Sequence, residues 1–130
     1  MKIIYNGEKQ FAVKTRDHEF VVDLPEQKGG KNEGPTPPEI FAASLGTCIG
    51  VYVTSYCNAK GINCKGLSLD VNWSVSDEQE RIDKIEIEMT MPDEDYKERE
   101  KAILKTAGHC LIHNTLHTLP DIKLSIKPKK

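Results

Sequence analysis

The stretch from Pro38 to Lys60 constrains the fold more than any other part of the chain. Its apolar and small residues run almost all the way round a helical projection, and a helix of that kind is buried on most sides, inside a subunit or at a dimer interface. The spacing predicts a start near Pro38 or Glu39. Proline at a first helical turn loses nothing, because its missing N–H would have had no partner, and Glu39 suits the positive helix end. Gly61 is the expected stop. The apolar part, Ile40–Tyr56, carries Ser44, Gly46, Thr47, Gly50, Thr54 and Ser55. It is therefore read as a core helix, with no stretch apolar enough to span a bilayer.

The flanking pattern has a different period. Phe11, Val13 and Thr15 alternate with Ala12 and Lys14, and 19–24 repeats the theme. Leu67, Leu69, Val71, Trp73 and Val75 alternate with polar residues, as do Ile85, Ile87, Met89 and Met91. Such strands have one buried and one wet face, as in an antiparallel sheet. Residues 24–38 form a loop dense in turn formers, and a loop that long in a small domain is often functional. Helical spacing returns over Asp95–Gly108 and about Leu111–Thr118. Ile122, Leu124 and Ile126 then read as a last strand, with Lys129-Lys130 a frayed tail. The expected class is α+β, a largely antiparallel sheet packed on a long buried helix, with residues 1–130 as one domain.

Charge narrows the partners. With 18 basic and 20 acidic residues in 130, the net charge is −2. No basic face is written for phosphate binding, so no nucleic acid is expected. Met1–Glu8 lacks the apolar run of a signal peptide. A cytoplasmic address is the expectation, where four cysteines serve as free, catalytic or metal-binding thiols rather than structural bridges.

Cys48 lies within the long helix in Leu45-Gly46-Thr47-Cys48-Ile49-Gly50. A lone cysteine there usually packs as a small hydrophobe. Gly46 and Gly50 each cost helix stability by about 1 kcal/mol relative to alanine, which suggests close approach of another element. Cys110 sits in Gly108-His109-Cys110-Leu111-Ile112-His113-Asn114, where one helix ends and the next begins. Backbone N–H groups left free at such a break favour a thiolate, although packing at a helix corner explains the cysteine equally well. Cys57 and Cys64 bracket the end of the long helix without a motif and read as structural. His109, His113 and His117 recur at i, i+4, i+8, a stripe that with Cys110 could recruit zinc. Gly108 breaks that stripe, no CxxC or HExxH accompanies it, and no metal is expected.

Three segments together resemble the osmotically inducible protein C and organic hydroperoxide resistance (OsmC/Ohr-like) family. They are the loop and helix from Gly29-Gly30 through Gly34-Pro35-Thr36-Pro37-Pro38-Glu39 to Cys48, the alternating strands that follow, and His109-Cys110-Leu111-Ile112-His113-Asn114-Thr115-Leu116. The resemblance implies an OsmC-like fold, an intertwined homodimer with active sites at its interface, and a thiol-dependent peroxidase of the oxidative stress response. Cys48 would attack an organic hydroperoxide and become a sulfenic acid, and Cys110 would resolve it as a disulfide. A dithiol reductant, lipoyl-type or another thiol, would restore the pair without a cofactor. Phe41, Leu45 and Ile49 would line the substrate pocket. Glu39 and Arg16 are the positional counterparts of a glutamate and an arginine beside the thiolate, with His18 and His109 as substitutes for the cation. Glu39, however, stands nine residues before Cys48 rather than ten. At about 100° per residue that places the two on opposite faces of an ideal helix. Leu111 replaces a proline that often follows the second cysteine. The alternative from another class is a non-enzymatic binding module that holds an apolar small molecule in the interface pocket.

Overall fold

The computed structural model describes residues 1–128, so the Lys129-Lys130 tail lies outside the described residues. The chain forms two compact units. One comprises Met1–Ser44 and Val71–Ile87, the other Leu45–Asp70 and the chain from Glu88 on.

In the first unit β1 (Lys2–Gly7), β2 (Gln10–Thr15) and β3 (His18–Val22) form an antiparallel meander in that order. Ile3 lies opposite Val13, and Val13 opposite Phe20. Ala12 and Val13, on opposite faces of the central strand, are both buried. Arg16 takes a left-handed φ of 52° in the β2–β3 turn. The strand β1 did not stand out in the pattern, because its apolar residues Ile3, Ile4 and Tyr5 are contiguous.

The long loop after β3 is closed around one buried carboxylate. Asp23 is 1% exposed. It accepts hydrogen bonds from the backbone N–H groups of Leu24 (2.8 Å), Lys31 (3.1 Å) and Glu33 (3.2 Å). Burial pushes its pKa up, but those N–H groups, helped by the Gln10 side chain, outweigh burial and hold it below the ordinary value. A Cβ on Gly30 would overlap the Leu24 carbonyl, and one on Gly34 the Val21 carbonyl. The backbones approach so closely that only glycine fits.

The helix α1 runs Pro37–Lys60. Thr36 caps it: its carbonyl accepts the Ile40 N–H at 3.0 Å, and the Glu39 carboxylate reaches back to the Thr36 N–H at 2.6 Å. This is the reciprocal arm of a capping box. Ala42, Leu45, Ile49, Val53 and Cys57, at steps of three and four, make one buried row. The burial is narrower than the sequence suggests, since Val51 is 62% and Tyr52 39% exposed in the single chain. By length and composition alone α1 is also apolar enough to cross a membrane, contrary to the sequence reading. Its buried row shows the use this fold makes of that apolarity.

The strands β4 (Ser68–Ser76) and β5 (Arg81–Thr90) pair as a hairpin through the polar turn at 77–80. Leu69, Val71 and Trp73 on β4, and Ile85, Ile87 and Met89 on β5, are half-buried between exposed polar neighbours. In the second unit α2 (Glu100–Ala107) and α3 (Leu111–His117) follow. Ile103, Ala107 and Cys110 join Leu45, Ile49 and Val53 among its buried residues. The expected last strand is not formed among the described residues. Residues 118–128 are irregular, with Ile122 77% and Leu124 94% exposed. Alternation makes a strand only where a sheet edge takes it up, and none of the described strands does so.

Candidate functional site: two thiols at a helix start

Cys110 is the N-cap of α3, with extended backbone angles (φ −68°, ψ 152°). Its Sγ accepts the His113 N–H at 3.3 Å, and the Ile112 N–H also bears on it. The side chain is wholly buried. The thiol of Cys48, half-buried on α1, stands within hydrogen-bonding reach of it. Residues 62 positions apart in sequence are thus neighbours in the second unit. All four cysteines are free thiols.

The free N–H groups expected at the helix break are in place, but they do not win. Burial pushes the Cys110 pKa up, the adjacent Cys48 adds to this, and the N–H groups of His113 and Ile112 offset only part. Cys48 is the more exposed member of the pair. Gly50, two residues after Cys48, does not serve a close approach: a Cβ there would stand 3.6 Å from Leu69, an ordinary contact.

The other expected site residues are divided between the two units. Glu39 and Arg16 belong to the first unit. Glu39 is occupied at the helix cap, where the Thr36 N–H and then the Thr36 hydroxyl (2.9 Å) lower its pKa. Arg16 is exposed in its turn. Phe41 lines an apolar cleft of about 450 Å³ in the first unit, with Ile3, Phe11, Phe20, Val22 and Ile40 among the other walls. Leu45 and Ile49 are buried in the second unit. His18 is exposed on β3.

The histidine stripe is interrupted where Gly108 suggested. His109 precedes α3 and its Nδ1 lies 2.6 Å from the Lys105 carbonyl. His113 and His117 share α3, with their Nε2 atoms 3.0 Å apart. Among the described residues no three histidine, cysteine or acidic side chains gather as a metal-binding cluster. Sequence reasoning missed two features. One is Asp23, a single acidic residue at a strand end. The other is Cys57, whose thiol meets that of Cys64.

An α+β fold with a long helix carrying one cysteine against a second at a later helix start defines a class of thiol-bearing proteins. The family model for OsmC-like proteins matches residues 30–125, and the chain belongs to that family. No curated protein matches it. Among solved structures it is similar to a Psychrobacter arcticus protein named for osmotic stress induction and a detoxification response, with TM-score 0.82 and 22% identity over 90% of this chain and 87% of that one. An OsmC-like protein of Mycoplasma pneumoniae gives 0.74 and 20%, over 91% and 86%. A Legionella pneumophila organic hydroperoxide resistance protein gives 0.57 and 18%, over 90% and 93%. These likenesses establish the OsmC-like fold.

Proposed function

We propose that this protein is a thiol-dependent peroxidase that reduces organic hydroperoxides to alcohols. The contact between half-buried Cys48 and buried Cys110 carries the reading. The Cys48 thiolate attacks the O–O bond, the alcohol leaves with a proton, and Cys48 becomes a sulfenic acid. The Cys110 sulfur then attacks the Cys48 sulfur, and the departing hydroxide takes the Cys110 proton as water. A dithiol such as a lipoyl group reduces the resulting disulfide and is itself oxidised. No metal or cofactor enters these steps. The working form is a cytoplasmic homodimer. Val51 and Tyr52 on α1, and Ile122 and Leu124 beyond α3, supply apolar surface for a second copy.

The test is one equivalent of cumene hydroperoxide on reduced protein, followed by disulfide mapping. A Cys48–Cys110 bridge that forms in the wild type and not in Cys48→Ser is the expected result. Both thiols still reduced after exposure would sink the reading. The apolar cleft beside Phe41 supports a second reading, a module that binds an apolar small molecule. That reading predicts that Phe41→Ala weakens binding of a fluorescent fatty acid, while Cys48→Ser leaves it unchanged.

A further inference from the structure

The end of α1 does more than stop a helix. Gly61 takes φ 70°, its N–H bonds the Asn58 carbonyl at 3.3 Å, and the Ile62 N–H bonds the Cys57 carbonyl at 2.9 Å. These are the two bonds of a Schellman motif, which folds the chain back over the helix end and sets the second residue beyond it against the third from the end. Here those residues are Ile62 and Cys57, and both are buried. The returning chain is then tied down on either side of Cys64. The Asn63 N–H donates to Asp95 Oδ2 at 3.0 Å, its amide to Asp93, and the Leu67 N–H to the Cys64 carbonyl at 3.0 Å. The loop delivers the Cys64 thiol to hydrogen-bonding reach of the Cys57 thiol. Cys57 has no exposed surface and Cys64 is half-buried. The pair repeats the arrangement of Cys48 and Cys110, one thiol sealed and one reachable.

We infer that Cys57 and Cys64 form a second redox site, which closes to a disulfide when an organic hydroperoxide oxidises Cys64. The Cys64 thiolate attacks the peroxide O–O bond, and the alkoxide leaves and takes a proton as the alcohol. Cys64 is then a sulfenic acid. The Cys57 sulfur attacks the Cys64 sulfur, and the displaced hydroxide leaves with the Cys57 proton as water. One hydroperoxide and two thiols give one disulfide, one alcohol and one water, the thiols supplying both electrons. The ring closed is short and already shaped by the Schellman turn, so little chain entropy opposes it. Burial, then Cys64 and Asp95, push the Cys57 pKa up to about 12, so the second step starts from a thiol and is slow. The site therefore records sustained oxidant exposure rather than turning over. The reaction is independent of Cys48.

The experiment uses full-length Cys48→Ser/Cys110→Ser protein with excess cumene hydroperoxide, then alkylation, tryptic digestion and mass spectrometry. Trypsin cuts after Lys60, so a bridge appears as two joined peptides, one of them Gly61–Lys65. The expected main product is that joined pair, reversed by dithiothreitol and absent when Cys64→Ser is added. With Cys57→Ser instead, Cys64 should proceed to the sulfinic acid. Cys64 over-oxidised beside an intact Cys57 thiol, or both thiols unreacted, would overturn the inference. The same map on the wild type keeps the test open if the double variant folds poorly. There Cys48 and Cys57 share the peptide 32–60, so fragment ions within it assign which cysteine joins 61–65 and which joins 106–123, and either bridge can fail without the other.

Discussion

The two thiol pairs share a plan and differ at the sealed member. Cys110 caps a helix start, where N–H groups of His113 and Ile112 point at its sulfur and lower the cost of a thiolate. Cys57 sits three residues from a helix end, the negative pole, with Asp95 near it and no N–H aimed at its sulfur to offset burial. Burial raises the pKa of both. Burial is the largest cause at both, and the difference lies in the N–H groups at a helix start, which offset part of it at Cys110 and find no counterpart among the causes acting on Cys57.

The sharpest way to break the comparison is to remove each reachable thiol. Cys48→Ser should abolish hydroperoxide turnover, a loss of at least about a thousandfold given that the nucleophile itself is gone. Cys64→Ser should leave turnover within about twofold of wild type, measured by consumption of cumene hydroperoxide with a dithiol donor. Equal losses would mean the pairs are one system.

A smaller effect concerns stability in alkali. The Cys57 pKa is raised on folding, so the unfolded chain loses that proton first and stability falls between the ordinary thiol range and about pH 12. Urea unfolding from pH 8 to 11 should show a shallower decline in Cys57→Ala than in wild type, whatever the offset from the cavity. Parallel declines would remove Cys57 from the alkaline response.

His113→Pro deletes the N–H that caps the Cys110 sulfur, at a first-turn position that proline tolerates. Loss of one such bond, about 1 kcal/mol, should slow alkylation of Cys110 by roughly fivefold at fixed pH. Asp95→Asn should have the least effect. It keeps an acceptor for Asn63 while removing a charge, so the Cys57 pKa moves down and its alkylation at pH 9 speeds up slightly.

Much of this architecture was legible because its signals are local. Alternation announced β2 through β5, and the apolar run with Gly61 announced α1 and its stop. Gly108 before Cys110 announced the break ahead of α3. Three things were not legible, each for a physical reason. The stripe at Ile122 and Leu124 has the period of a strand, but a strand needs a pairing partner, and none of the described strands pairs with it. The meeting of Cys57 with Cys64 depends on a left-handed turn that folds the chain back, which spacing alone does not encode. Glu39 stood one residue out of register for the glutamate that the resemblance implies, and nothing in the spacing told that its carboxylate satisfies the helix start at Thr36. The resemblance named two cysteines, while their contact is a fact of the fold.

The loop after β3 will not behave as a loop in isotope exchange. Its amides at Leu24, Lys31 and Glu33 are spoken for by the Asp23 carboxylate, those of Asp23 and Asn32 by main-chain carbonyls, and the carboxylate itself is sealed from water. In deuterium these amides should exchange as slowly as those of a sheet interior, although none lies in regular secondary structure. The protection has a chemical off-switch. It is complete above the ordinary carboxylate range and fades as acid titrates Asp23 through its lowered pKa, so five scattered amides should open together.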